Sequence, residues 1–346
     1  LLLEKAEVCR MKMGDARVRT VYVPSLGRDV SVLGFGCAPL GSHVSESQGR
    51  RSLDAAFERG VTCYDVAPPY GDGEAEAILG KFLSGRRDQV TVCTKFGIPR
   101  QTISSLARFA RPVARAALRA FPLLRSRAEG TRPAAGKRMA LRAEMVEPSL
   151  TESLRRLRTD YVDVFALHDP RPEECQDEDL LAALQRVVEK GYARTIGIAG
   201  TPEAVLAGTQ ASSLYKFAEF RDTPFHQALE PLRAGLDASL TCVTHGAFDP
   251  SVYDHLIRLL ASDGGRLASL ASQLAYGPPN MASDILLDYA LAKNSTGVVL
   301  VSMFDPAHIE LNCARASRRP RADVVDFVHK MIVNTASANF GKLRFN

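Results

Sequence analysis

Short apolar runs alternate with amphipathic helical patterns along most of this 346-residue chain, and that alternation is what most restricts its fold. Eight runs can be counted: VSVLGFG (30–36), VTCYD (61–65), VTVCTK (90–95), YVDVFALH (161–168), RTIGIAG (194–200), SLTCVTH (239–245), RLASLAS (266–272) and GVVLVS (297–302). Most are nearly continuous in apolar or small residues. A strand that is apolar on both sides must be covered on both faces, as in a parallel sheet flanked by helices. The intervening segments supply the cover. RRSLDAAFERG puts Leu53, Ala56 and Phe57 on one face, with Gly60 to end it. SLTESLRRLR stripes Leu150, Leu154 and Leu157, and DEDLLAALQRVVEKG stripes Leu180, Leu184, Val187 and Val188. SVYDHLIRLL and DILLDYALAKN repeat the pattern. Eight strand–helix units predict an α/β fold, the (β/α)8 TIM barrel. VRTVYVPSLGRDVSV ahead of them reads as an N-terminal β-hairpin turning at Ser25–Gly27. A doubly wound sheet would carry GxGxxG after its first strand, and the glycines of GFGCAPLG are wrongly spaced for that.

The barrel is expected over 18–313, with long loops after strand 3 (98–145) and after strand 5 (208–238). The first 17 residues read as an extension without fixed structure, and 314–346 as a C-terminal tail. The first loop is strongly basic. Between Arg100 and Arg142 there are eleven Lys/Arg and one acid, Glu129, so the net charge of +5 belongs to this insertion and the remainder is acidic. Within 105–121, Arg108, Arg111, Arg115 and Arg119 recur at helical spacing, broken at Pro112. The expected role is a lid helix over the barrel mouth, with weak contact to an anionic membrane as a lesser alternative. Nucleic-acid binding is not expected, because no recognition motif accompanies the charge.

Several classes are set aside. No run of 18 apolar residues exists to span a membrane, and the N-terminus lacks the apolar stretch of a secretory signal. Seven dispersed cysteines without a CxxC pair point to a reducing, cytoplasmic setting. The seven histidines are scattered with no HExxH, so no metal is expected. Oligomeric state is left open.

Three of the runs end on a polar residue able to take part in catalysis. VTCYD ends at Asp65, VTVCTK at Lys95 and YVDVFALH at His168, and Tyr70 follows Asp65 in a Pro/Gly-rich turn. Catalytic groups of a parallel barrel come from the C-terminal ends of its strands. Singly, each has an ordinary reading: a helix cap, a solvated lysine, a packed histidine, a loop aromatic. Together they allow proton donation. A phenol has a pKa of about 10. A nearby ammonium stabilises the phenolate and lowers that value. Asp65 can orient Lys95, and His168 can hydrogen-bond a substrate oxygen in line with Tyr70.

YDVAPPYGDGEAEAILG, VCTKFG, SLTESLRRLRTDYVDVFALHDP and KGYARTIGIAG resemble the aldo-keto reductase superfamily, in its order and approximate spacing, from about Tyr22 to Asn312. The resemblance implies that Asp65, Tyr70, Lys95 and His168 form the catalytic tetrad. It further implies NADPH, less often NADH, as hydride donor to a small-molecule aldehyde or ketone. Cofactor contacts carried over from it fall on Gly36, Cys37, Asp65, Ala199, Gly200, Ser272, Ser302, Met303, His308 and Asn312. Here the chain departs from the family. Ala199 and Gly200 stand where the family has Ser-Asn. The alignment puts Ala271, with Tyr276 beyond it, where the family stacks an aromatic after the seventh strand. No counterpart of the sixth strand's Gln is found in SLTCVTHGAF. His308 stands where an Arg marks NADPH preference, with Arg315, Arg318 and Arg319 nearby and read as a solvated tail. The alternative reading is a catalytically weak reductase-like barrel acting as a regulatory or partner-binding module.

Overall fold

The structure is a computed structural model and describes residues 17–100, 138–261, 266–319 and 321–339. The extension before residue 17 and the basic helix at 105–121 lie outside the described residues. A hairpin opens the fold: β1 (Thr20–Val23) pairs antiparallel with β2 (Arg28–Ser31), and Gly27 makes the turn at φ +62°. Eight strands then close a barrel: β3 (Leu33–Gly36), β4 (Cys63–Asp65), β5 (Thr91–Phe96), β6 (Val162–His168), β7 (Ala193–Ala199), β8 (Tyr215–Arg221), β9 (Thr241–His245) and β10 (Val298–Val301). Every neighbouring pair is parallel, and β10 returns to β3.

Helices fill the intervals between strands, and those at 46–58, 143–157, 178–189, 250–261 and 281–293 lie where the apolar stripes predict them. The helices include α1 (Glu46–Glu58), α2 (Ala75–Leu83), α3 (Ala143–Leu157), α4 (Glu178–Glu189), α5 (Pro202–Ala211) and the short α6 (Leu229–Arg233). The remainder are α7 (Pro250–Ala261), α8 (Arg266–Gln273), α9 (Met281–Lys293), α10 (Pro306–Ala316) and α11 (Ala322–Asn339). Asp177 and Thr201 cap α4 and α5 by accepting from Leu180 N and Ala204 N. No helix among the described residues is long and apolar enough to cross a membrane.

Two expectations need correction. RLASLAS is not a strand: it is α8, and its Leu267, Leu270 and Ala271 follow the helical spacing of three and four residues. The segment 208–238 is not a loop, because it holds the sixth barrel strand, β8, and α6. The strand count of eight therefore stands, but SLTCVTH is the seventh strand rather than the sixth.

Three apolar clusters form among the described residues, and two of them build the barrel. Helices cover the barrel exterior against residues such as Phe35, Tyr64, Phe165 and Phe220. Inside the barrel Cys63, Val164, Phe217, Val243, Val298 and Leu300 pack on Val23 and Val30 of the hairpin, which thus closes the N-terminal end. Gly34 is required there. A Cβ on it would lie 2.5 Å from Leu300 Cδ2 and 3.0 Å from Val298 Cγ1, so a larger residue would hold β3 away from β10. With one end plugged and packed, the inward residues at the other end are left to form a site.

Candidate active site

Side chains alternate along a strand, so residues two apart share a face. The apolar layer of Cys63, Cys93, Phe217 and Val243 is followed, two residues on, by Asp65, Lys95, Glu219 and His245. The upper layer of the barrel is therefore polar, and it lies at the C-terminal ends of the strands. Lys95 is its centre. The side chain is fully buried, its Nζ bonded to Asp65 Oδ1 and 3.0 Å from Glu219 Oε2. Asp65, Cys93 and Glu219 hold two carboxylates and a thiol within 4.8 Å of one another, and the ammonium takes the place a metal cation would.

Tyr70 reaches this layer from the turn after β4. Its ring centroid lies 5.3 Å from Lys95 Nζ and 5.8 Å from the His168 ring, edge to face at 88°. The turn is fixed by backbone bonds from Tyr70 N to Ala67 O and from Gly71 N to Ala38 O, each 3.0 Å. Gly71 adopts φ +59°, and a Cβ there would meet the Leu40 carbonyl oxygen at 1.6 Å. Only glycine lets the chain pass Leu40 and turn Tyr70 inward.

The electrostatics follow from burial and from one cation held between two anions. Burial raises Asp65 to about 7, and Glu219 adds to the rise while Lys95 opposes it. Burial also raises the Tyr70 phenol above its ordinary value, and the Lys95 charge reduces that rise without cancelling it. Lys95 thus acts in the expected direction but is outweighed by burial, and Tyr70 is held in its protonated form. Burial, then the Lys95 ammonium, lower His168 to about 4, so its imidazole is neutral at physiological pH. The buried His168 Nδ1 has no hydrogen-bond partner among the described residues.

Tyr70, His168, Ala199, Gly200, Glu219 and His245 open onto one pocket of about 510 Å³, whose outer wall includes Thr201, Glu203, Arg221 and His226. With the buried Asp65–Lys95 pair beside Tyr70, all four tetrad candidates and three of the cofactor candidates, Asp65, Ala199 and Gly200, are brought together. The others divide. Ser302, exposed at the end of β10, donates from Oγ to Gly36 O at 3.0 Å. Met303 and Asn312 are buried side by side, and Asn312 Nδ2 lies 4.0 Å from Met303 Sδ. His308 is exposed in the first turn of α10. The Cys37 thiol is buried and faces the Phe35 carbonyl, leaving only backbone to a ligand.

Ser272 does not belong with these residues. It is exposed on α8, with Oγ on Ala268 O, and neighbouring Ala271 and Tyr276 are buried in a separate cluster of α7, α9 and α11. Tyr276 spends its hydroxyl on Asp288. Arg315 is likewise committed, to Asp284 at 2.5 Å and Asp288 at 2.6 Å, and is no solvated tail residue. The residues missed by sequence reasoning are Glu219 and His245. With the strands renumbered, Glu219 stands in the sixth strand, where no Gln was found, and His245 supplies an aromatic ring at the end of the seventh.

An acid–lysine–phenol–imidazole cluster at strand ends of a parallel barrel agrees with what the sequence comparison finds. The aldo/keto reductase family model matches residues 32–218, more than half of the chain. The chain belongs to the aldo/keto reductase family. It is thus an oxidoreductase acting between carbonyls and alcohols. L-galactose dehydrogenase of Arabidopsis thaliana is 26% identical over 327 residues, covering 83% of this chain and 85% of that protein. D-threo-aldose 1-dehydrogenase of a Pseudomonas species is 32% identical over 187 residues, 50% of each chain. Among solved structures, the holo form of an aldo-keto reductase from Bacillus halodurans superposes with a TM-score of 0.67 at 20% identity, covering 91% of this chain and 96% of that one. An aldo-keto reductase from Klebsiella pneumoniae in complex with NADPH gives 0.62 at 17% identity, with 91% and 95% covered. At these identities the structural matches establish the fold.

Proposed function

We propose that this enzyme reduces an aldehyde or ketone to an alcohol, with Tyr70 as general acid and NADPH as hydride donor, NADH being the alternative. The observation that carries the reading is that Tyr70 and His168 line one pocket while the buried Asp65–Lys95 pair lies beside the Tyr70 ring. In reduction the carbonyl oxygen becomes an alkoxide, a far stronger base than a phenolate. Tyr70, kept protonated by burial, gives its hydroxyl proton to that oxygen. Lys95 then stabilises the phenolate left behind, and Asp65 holds the ammonium in place. Neutral His168 has one N–H to offer the same oxygen and so orients the carbonyl toward Tyr70.

The residues opposite fit a nicotinamide. Ala199 and Gly200 bring little side-chain bulk to the pocket, the Glu219 carboxylate can accept from an amide, and the His245 ring can lie against a planar group. When bound there, the cofactor supplies the hydride. Ser302, His308 and the backbone at Gly36 and Met303 are proposed for its adenosine-phosphate end. The Klebsiella enzyme's complex with NADPH supports that donor. The outer wall of Thr201, Glu203, Arg221 and His226 suits a hydroxylated substrate, and two relatives are named for sugars. We therefore propose a small sugar-like carbonyl ahead of an apolar ketone.

A second reading, a barrel that binds partners without turnover, draws on the missing side chains at Ala199 and Gly200; Ala271 no longer counts toward it. Titration of NADPH and NADH by fluorescence, followed by a carbonyl panel, separates the two. Micromolar binding and turnover are expected, and absence of both would favour the second reading.

A further inference from the structure

Tyr70 and His168 fix where a substrate oxygen sits. Whatever exchanges hydride with that carbon must lie within contact of it, in the same pocket. Glu219 lines that pocket as well. This carboxylate is half of an unequal arrangement: Asp65 and Glu219 both bind the single Lys95 ammonium. With both ionised, the buried cluster carries one surplus negative charge. His168 does not offset it, being neutral. At the rim, Arg221 is paired with Asp249 at 3.1 Å, and Glu203 and Asp169 are further acids on the pocket wall. Among the described residues that line the pocket, Arg221 is the one Lys or Arg. Unscreened by bulk water, such a charge acts strongly on a ligand beside it.

The two forms of a nicotinamide ring differ in charge: the reduced ring is neutral and the oxidised ring is cationic. We propose that Glu219 makes this site discriminate between them, holding the oxidised cofactor more tightly than a neutral residue at the same place would. The same carboxylate stabilises the positive charge that develops as a hydride leaves for the carbonyl carbon. This inference rests on the cofactor reading above and adds to it a residue that sets which redox state is preferred.

The test is a pair of dissociation constants, for NADP⁺ and for NADPH, measured by calorimetry and fluorescence at pH 8 on the wild type, Glu219→Gln and Glu219→Asp. Gln keeps the shape and removes the charge, and Asp keeps the charge. Glu219→Gln should weaken NADP⁺ by about tenfold and leave NADPH within about twofold, the scale of one lost charge in a partly buried site. Glu219→Asp should preserve the wild-type ratio. Equal weakening of both forms by Gln would overturn the proposal, as would an Asp variant behaving like Gln, since either assigns Glu219 to packing. Binding of neither form by the wild type would remove the cofactor reading and this inference with it.

Discussion

Lys95→Met tests how the buried charges are arranged. Met fills nearly the volume of the lysine stem and removes the one cation that, among the described residues, is bonded to Asp65 and Glu219. Each carboxylate can then shed its charge by binding a proton, at about 1.4 kcal/mol for every unit by which the pH exceeds its unfolded pKa. At pH 7 this caps the cost at about 4 kcal/mol for an aspartate of ordinary pKa 3.8 and about 3 kcal/mol for a glutamate at 4.5. The wild type already carries most of the first cost, because Asp65 is raised to about 7. The increment is thus about 3–4 kcal/mol at pH 7, in the range for breaking a buried ion pair. The sign follows from linkage. In the variant both folded pKa values lie above the unfolded ones, so their contribution is intact below the unfolded pKa and is lost as pH rises. At pH 4.5 the defect should shrink to under about 1 kcal/mol. Urea unfolding of both proteins at pH 4.5, 6 and 7.5 measures it. A defect of constant size across that range would refute the ionised Asp65–Lys95–Glu219 cluster.

His168, lowered to about 4 from an ordinary 6.5, should contribute stability above pH 6.5 that is lost as pH falls through 4. His168→Gln should accordingly lose about 3 kcal/mol less than the wild type between pH 7 and 4, read from the same denaturation series. Gly71→Ala should displace Tyr70, through a strained φ and the Leu40 carbonyl, and cut kcat by about a hundredfold or more. A variant with wild-type kcat would show that the turn does not position the phenol.

Much of the fold and half of the site were legible in the sequence. Strands such as VDVFALH and helices such as EDLLAALQRVVE carry their period openly, and Asp65, Lys95 and His168 end runs that cannot be mistaken. YKFAEFR was hidden because Lys216, Glu219 and Arg221 interrupt it, and a charge in a short run reads as solvent-facing. In a barrel the reverse holds near the C-terminal ends of strands, where an inward charge faces the site, as Glu219 does. RLASLAS passed for a strand by its apolar content, although it has no β-branched residue and its leucines recur at helical spacing. That one exchange misplaced the sixth and seventh strands, and with them Glu219 and His245. Sequence also suggested that Lys95 lowers the Tyr70 pKa, and the lysine does act in that sense, but the net shift is upward. The direction depends on how deeply the phenol is buried and on a second carboxylate from a strand some 150 positions later, neither of which spacing reveals.

The central claim is that Tyr70 donates the proton in carbonyl reduction. Tyr70→Phe removes one oxygen and keeps the ring beside His168. On the best substrate of the panel, the account predicts a fall in kcat of about a thousandfold or more, with the dissociation constant for NADPH within about twofold of wild type. A Tyr70→Phe enzyme that turns over at the wild-type rate would contradict it.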